Sequence, residues 1–188
     1  MTEFELKIKA TRDYVDYVEN HYKNVQKAFA EFTRRIEKAL EKGKYHNFVC
    51  ETKLYEDWFY NTLKAIIEAH DITKLGKEEF TAYRDNFYPL SEKSKQANKE
   101  EFDKAWEHHK QKNNHHWQSR VGKTFYECDY LAIENAMDWI AMAYAFNETP
   151  INKYYLENKH KMQLSERDTM IIETVYRIML DKDLEVEE

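Results

Sequence analysis

The sequence predicts an all-α protein, a bundle of about six to seven helices in a single domain over residues 1–188. Glycine (3 residues) and proline (2 residues) are scarce, which argues against β-rich folds because their tight turns depend on these residues. Apolar residues recur at steps of three and four along most of the chain, which is the period of an amphipathic helix. Hydrophobic residues make up 42% of the chain, enough for a core and too many for a disordered protein.

Three helices are predicted in the first half of the chain. The first covers about residues 4–41 and ends before Gly43, because glycine suits the left-handed position that follows many helices. The second covers about residues 52–70. The third covers about residues 77–87 and is stopped by Pro89, since proline cannot continue a helix.

The second half is predicted to hold four more helical segments after a loop. The polar stretch 91–99 is predicted to be that loop, because it lacks an apolar stripe. Ser165 begins the last helix, and Asp168 three residues later resembles the acidic partner of a capping box. The predicted segments are about 99–111, about 125–146, one that begins near Thr149-Pro150, and about 165–180.

Composition excludes several classes of protein. A net charge of −6 leaves no strong case for a nucleic-acid protein that works through a basic face. No apolar run approaches about 18 residues, so no membrane span is expected. The glycine-poor chain offers no GxxxxGK loop, which argues against a kinase or ATPase. Cys50 and Cys128 form no CxxC motif, and we expect free thiols and a cytoplasmic protein.

Several histidines and acids lie on the apolar stripes of the predicted helices. His21 follows Val18 by three positions and precedes Val25 by four, which places it on the buried face of the first helix. His70 follows Ile66 by four positions, and Asp71 is its direct neighbour. We therefore expect both imidazoles to point inward.

Two further segments place polar residues on apolar faces. Asp138 precedes Met142 by four positions on the inner face of the fifth helix. His109 follows Ala105 by four positions, whereas His108 is rotated about 100° away and should be more exposed. Buried polar groups must be paired, and one metal ion can pair several of them at once.

Neutral imidazole and carboxylate are the ligands that Mn, Fe, Co, Ni and Zn accept. The sequence therefore predicts one or two divalent ions per chain, with Mg as a further candidate. Water bound to such an ion has its pKa lowered from 15.7 toward about 7, which supplies hydroxide for attack on a phosphoester.

The alternative is that each inward histidine is a hydrogen-bonded core residue and that Asp138 caps a loop or pairs with an arginine. In that case His115 and His116 belong to the surface or only cap a broken helix.

The order of these residues resembles the HD superfamily of metal-dependent phosphohydrolases. That superfamily has a histidine on an early helix, a His-Asp pair on a later one and a distal aspartate, which His21, His70-Asp71 and Asp138 fill in order. The resemblance implies an HD-domain-like helical bundle in which these four residues hold one metal ion.

A longer resemblance covers most of the chain. The stretches HDITKLGKEEFTAYRDNFYP, FDKAWEHHKQKNNHHWQ and MDWIAMA look like an uncharacterised HD-like family from phages and Firmicutes, with HD-x-SK, AW-x-HH, NPHHW and DW motifs. The chain departs from it at Thr73, where serine is usual, and at Asn114, where proline is usual. The resemblance implies a functional HHW segment, with His109, His115 and His116 as ligands of a second metal or as phosphate contacts, in a bacterial or phage-infected cell.

Other charged residues are candidates for substrate binding and catalysis. Lys74 lies three residues after Asp71 and could hold a substrate phosphate or help in catalysis; Arg84 and Arg120 could bind phosphate, as could His116. Glu134 precedes Asp138 by one helical turn and could orient a ligand or act as a base. The four tryptophans are predicted to pack in the core, with Trp117 also a candidate for a substrate cleft.

The predicted reaction is hydrolysis of a nucleotide or nucleotide-like phosphoester by a metal-activated water, with Asp71, Lys74 and Glu134 as catalytic residues. Two alternatives remain open. One is a di-iron oxygenase. The other is a non-enzymatic protein that binds a nucleotide or a host protein, as small phage anti-defence proteins do. The sequence leaves the substrate, the metal and the oligomeric state open, with a homodimer among the alternatives.

Overall fold

A computed structural model describes residues 1–122 and 129–185, and the all-α prediction is confirmed: these residues form nine α-helices and short 3-10 turns, with no strand among them. The α-helices are α1 (Glu3–Glu41), α2 (His46–Thr52), α3 (Asp57–Glu68), α4 (Phe80–Phe87), α5 (Glu92–Lys112), α6 (Trp117–Arg120), α7 (Asp129–Ala145), α8 (Lys153–Asn158) and α9 (Glu166–Leu180). The 3-10 turns are Ile72–Leu75, Lys159–Lys161 and Lys182–Leu184. No helix in the described ranges has the length and apolar character needed to cross a bilayer. The HD-domain-like arrangement stays a prediction.

The chain divides into two compact units, each built from two stretches of sequence. Unit 1 contains Met1–Tyr22 and Asp71–Asn114, and unit 2 contains Lys23–His70 and His115–Glu188. The first boundary falls inside α1, and no linker-like sequence marks any of the three points at which the chain passes from one unit to the other. The prediction of a single domain stays a prediction.

Unit 2 contains a large apolar core. Its buried side chains come from every long helix of the unit, including Phe32 of α1, Leu63 of α3, Ile140 of α7 and Ile172 of α9. α7 packs against both α3 and α9. Eleven of its first thirteen residues are buried, because neighbouring helices cover it on several sides. A helix that is buried all round holds its polar residues in an apolar environment, where each needs a partner.

Unit 1 contains a smaller core of aromatic character. Tyr14, Val18, Tyr83 and Ala105 are buried, and Phe80, Phe102 and Trp106 pack against them. The ring of Tyr83 contacts the ring of Phe102, with centroids 5.2 Å apart. α4 and α5 supply most of this core, which places the buried face of α5 next to α4.

Several predicted boundaries are confirmed. α1 ends at Glu41, and Gly43 follows with φ 72°, the left-handed position that glycine allows without strain. The Ser165 side chain accepts a hydrogen bond from the Asp168 backbone N–H at 3.0 Å, as expected for the first turn of α9. Residues 125–128 of the predicted fifth helix, and Cys128 with them, lie outside the described ranges.

Other predictions about the helices are wrong. The predicted loop at 91–99 is the first half of α5, because Ser91 and Ser94 form a reciprocal capping box and the following residues favour helix. The predicted helix at 52–70 is the shorter α3, Asp57–Glu68, because a turn at Lys53, whose φ is 59°, separates it from α2, which was not among the predicted helices. Trp58 is 49% exposed and does not pack in the core, since it lies on the outer side of α3.

Candidate metal centre

In unit 1, the carboxylate of Asp71 lies between two imidazoles. Its Oδ1 is 3.2 Å from Nε2 of His109, and its Oδ2 is 3.5 Å from Nε2 of His21. All three side chains are at most 4% exposed, which confirms that His21 and His109 point inward. Asp71 has φ 55°, a left-handed conformation that aspartate tolerates better than most residues.

Lys74 adds a positive charge to this group. Its Nζ lies 2.5 Å from Oδ2 of Asp71 and 5.8 Å from the centre of the Tyr17 ring, and its side chain is 9% exposed. Tyr14 donates a hydrogen bond to the Lys74 carbonyl at 2.9 Å, which fixes the backbone of the 3-10 turn. A buried ammonium next to a buried carboxylate is a paired charge, and it also offers a cation to a phosphate.

Glu79 lies directly before α4 and contacts both histidines of the α5 pair. Its Oε2 is 2.8 Å from Nδ1 of His109, and its Oε1 is 2.8 Å from Nδ1 of His108. Burial raises the pKa of Glu79, but its hydrogen bonds with His109 and His108 outweigh burial and lower the pKa overall. For His109, burial lowers the pKa, and hydrogen bonds with Asp71 and Glu79 raise it above its ordinary value.

In unit 2, two histidines meet a glutamate of α7. Oε1 of Glu134 lies 2.9 Å from Nδ1 of His70 and 3.1 Å from Nδ1 of His115. These three residues can bring ligand atoms within 4.8 Å of one another, and all three are buried. Asp138 lies one turn further along α7, with Oδ1 3.7 Å from Nε2 of His70. His115 is buried, whereas His116 is only partly buried.

The Glu134 carboxyl is held in its ionised form. Burial raises its pKa, but the His115 imidazole, followed by that of His70, lowers the pKa below its ordinary value. The two imidazoles therefore outweigh the cost of burying the charge, and a metal ion on the same imidazoles would act in the same direction.

Arg120, a predicted phosphate contact, is buried inside unit 2. Its Nε lies 3.2 Å from Oδ1 of Asp168, its Nη2 donates to Oδ1 of Asn135 at 3.2 Å, and its Nη1 donates to the carbonyl of His115. This geometry favours a role in holding the His115 segment over direct contact with substrate. Arg84, the other predicted phosphate contact, is engaged with Asp85 at 2.7 Å in unit 1.

The donor sets of both units suit a divalent metal ion. Two donors about 2.1 Å from a tetrahedral zinc ion lie roughly 3.4 Å apart. The three imidazole–carboxylate distances that involve Nε2 lie between 3.2 and 3.7 Å. Sets with imidazole nitrogens favour Mn, Fe, Co, Ni or Zn over Mg, which prefers oxygen ligands. In unit 1 such an ion would be held by Asp71 together with His21 at one carboxylate oxygen or with His109 at the other, and in unit 2 by His70, His115 and Glu134, or by His70 and Asp138.

The sequence predicts a single ion held by His21, His70, Asp71 and Asp138. His21 and Asp71 belong to unit 1, whereas His70 and Asp138 belong to unit 2, so this assignment stays a prediction.

Glu79 is the residue of the site that sequence reasoning missed. A usable signal exists: Glu79 precedes Tyr83 by four positions and therefore shares the apolar side of α4 with it. The run of charges at 77–79 hides this signal, because Lys77 and Glu78 are exposed while Glu79 is fully buried.

Comparison with known proteins identifies the family without assigning a function. The model of a family of unknown function, DUF5662, matches residues 10–178. No curated protein and no solved structure matches the chain. Since the matched region covers most of the 188 residues and all the residues of both donor sets, the chain belongs to the family of unknown function DUF5662.

Proposed function

We propose that the protein is a metal-dependent phosphohydrolase that acts on a nucleotide or nucleotide-like phosphoester. The observation that carries the proposal is the burial of imidazole and carboxylate groups in each unit at separations that suit a shared cation, above all Asp71 between His21 and His109. The HD-like order of His21, His70-Asp71 and Asp138 supports the same chemistry. A cytoplasmic location is part of the proposal, supported by the exposed free thiol of Cys50.

A divalent ion at these donors would supply a hydroxide at neutral pH and a positive charge for phosphate oxygens. Asp71 and the histidines contribute by orienting their lone pairs from buried positions, where competition from water is weak. Lys74 contributes a second cation next to Asp71, where it would be within reach of a phosphate bound to an ion held by that carboxylate. Glu134 contributes a buried, ionised carboxylate against two imidazoles.

The distribution of charged groups favours Lys74 over the arginines as the phosphate contact. Arg120 already donates to an acidic side chain, an amide oxygen and a carbonyl oxygen. The Lys74 ammonium instead lies against Asp71, the carboxylate at which the proposed ion would bind. Substitution Lys74→Gln should therefore raise KM for a phosphate-containing substrate while leaving the bound metal in place.

The proposal is tested first by metal analysis of protein purified without added metal. We expect about one or two equivalents of a transition metal per chain, and loss of bound metal in the variants His21→Ala, Asp71→Ala and His109→Ala. His160→Ala, which changes an exposed histidine, is the matched control and should retain the metal. Retention of metal by all the site variants would contradict the proposal.

The second test is turnover. The metal-loaded protein should release phosphate from at least one member of a panel of nucleotides and cyclic dinucleotides, and chelation should stop the reaction. Bound iron with oxygen consumption would instead favour an oxygenase. Tight nucleotide binding without turnover would favour a binding protein, and either result would overturn the hydrolase proposal.

A further inference from the structure

Two buried glutamates, one in each unit, contact histidines through the same ring nitrogen. Glu79 contacts Nδ1 of His108 and Nδ1 of His109, both at 2.8 Å. Glu134 contacts Nδ1 of His70 at 2.9 Å and Nδ1 of His115 at 3.1 Å. The four contacts therefore share one chemistry, although the residues come from different elements.

An ionised carboxylate can only accept hydrogen bonds, so each Nδ1 in these contacts must carry the proton. Since a neutral imidazole carries one proton, its lone pair then lies on Nε2. Nε2 of His109 lies 3.2 Å from Oδ1 of Asp71, and Nε2 of His70 lies 3.7 Å from Oδ1 of Asp138. A lone pair and a carboxylate oxygen repel each other at such distances unless a cation lies between them, either a metal ion or the second proton of an imidazolium.

The other groups near Nδ1 of His109 are consistent with this tautomer. Oγ1 of Thr73 lies 3.2 Å from that nitrogen and can accept from it. Nδ2 of Asn113 lies 3.0 Å away, but its two protons have other acceptors, Oγ1 of Thr73 at 2.8 Å and the His109 carbonyl at 2.9 Å.

We propose that Glu79 and Glu134 are positioning residues that hold His109, His70 and His115 in the tautomer that presents Nε2 to a metal ion, and that neither glutamate is itself a ligand. The inference rests on the proposed metal site and specifies its chemistry. Carboxylates that accept from the distal N–H of a ligand histidine fix the ring and make the imidazole a stronger donor.

A different arrangement is also consistent with the distances around Glu134. One ion could be bound by its Oε1 together with Nδ1 of His70 and Nδ1 of His115, because ligand atoms of one ion are also about 3 Å apart. In that case Glu134 would be a ligand, His70 would carry its proton on Nε2, and that N–H would face Oδ1 of Asp138 at 3.7 Å, which is longer than a hydrogen bond. A separation of 3.7 Å suits two ligands of one ion better than a hydrogen bond, so the position of Asp138 favours the ion on the Nε2 side.

The deciding experiment is nitrogen NMR of the full chain with 15N-labelled histidine, before and after addition of Zn²⁺. Single His→Gln variants assign the signals. We expect a proton on Nδ1 and zinc on Nε2 for His70, His109 and His115. Zinc on Nδ1 of His70 or His115 would overturn this inference and leave the proposed function intact. Zinc on Nε2 without any phosphate release would overturn only the proposed function, and absence of zinc from these rings would overturn both.

Glutamine variants give an independent measure. Glu79→Gln and Glu134→Gln should weaken Zn²⁺ binding by about 10–100-fold while the number of bound ions stays the same. Glu78→Gln, which changes the exposed neighbour of Glu79, is the control and should bind Zn²⁺ as the wild type does. Loss of one whole equivalent in Glu134→Gln would show that Glu134 is a ligand, and unchanged affinity in folded variants would show a purely structural role. If either variant fails to fold, the wild-type NMR spectrum still decides the question.

Discussion

Unit 1 and unit 2 both bury a glutamate against two histidines, but they do so by different routes. In unit 1 the histidines are neighbours on α5, and the side chain of His108 is 30% exposed while that of His109 is 1% exposed. In unit 2 His70 follows α3 and His115 precedes α6, and both are buried. In the unit 1 group, Glu79 with His108 and His109, the histidine positions follow largely from the geometry of one helix. In the unit 2 group, Glu134 with His70 and His115, they depend on packing between elements distant in sequence.

The two groups also differ in what surrounds them. In unit 2 the guanidinium of Arg120 donates to the His115 carbonyl and is itself paired with Asp168 at the start of α9. In unit 1 Glu79 lies next to a small aromatic core around Tyr83. The comparison indicates that the unit 2 group should be sensitive to distant substitutions, and the unit 1 group mainly to changes on α4 and α5.

The largest expected effect comes from breaking the Arg120–Asp168 pair. Asp168→Ala leaves the Arg120 charge buried without its main partner, and removal of one member of a buried pair typically costs about 3–5 kcal/mol. We expect a loss of this size in the free energy of unfolding measured in urea, together with weaker metal binding by His115. Glu148→Ala removes an exposed pair with Lys153 in the same unit and should cost less than about 1 kcal/mol. Equal losses in the two variants would contradict the role given to Arg120.

The next effect is stabilisation by metal. Zn²⁺ at a free concentration 100-fold above its Kd should raise the free energy of unfolding by about 2.7 kcal/mol for a site formed only in the folded chain. EDTA should reverse the gain. His115→Ala should reduce the gain by removing a donor of unit 2, and His160→Ala should leave it unchanged. A gain that persists in His115→Ala at its full size would show that the unit 2 group binds no zinc.

A smaller effect is expected at the start of α5. Ser91→Ala removes the side chain that accepts from the Ser94 N–H and should cost about 1 kcal/mol. Hydrogen exchange should become faster in the first turn of α5, which lies at the opposite end of the helix from His109. Gln96→Ala changes an exposed position of the same helix and should leave exchange unchanged. Equal exchange in Ser91→Ala and wild type would show that the cap contributes nothing.

The inward histidines could be predicted because helical periodicity is a local property of the sequence. His21 and His109 each lie three or four positions from apolar residues, and both are buried as expected. The first half of α5 could not be predicted in this way, since its surface is polar and it is held by a serine capping box rather than by an apolar stripe.

Contacts between residues that are distant in sequence could not be predicted from the sequence. Nothing near Arg120 in the sequence indicates that its guanidinium meets Asp168, because that contact depends on how α9 packs in unit 2. Glu79 was missed for a related reason: it is one of three adjacent charged residues, and only packing against α5 selects which of them is buried.

The smallest expected effect separates the two histidines of unit 1. His108→Gln removes a partly exposed imidazole from Glu79, but the glutamate keeps its contact with His109, so the free energy of unfolding should change by less than about 0.5 kcal/mol. Zn²⁺ affinity should fall only slightly, whereas His109→Gln should remove a ligand. Calorimetric titration of both variants measures the difference. Because unit 2 has no exposed member in its pair, both His70→Gln and His115→Gln should behave like His109→Gln, and a mild effect in either would show that the two glutamates do not play equivalent parts.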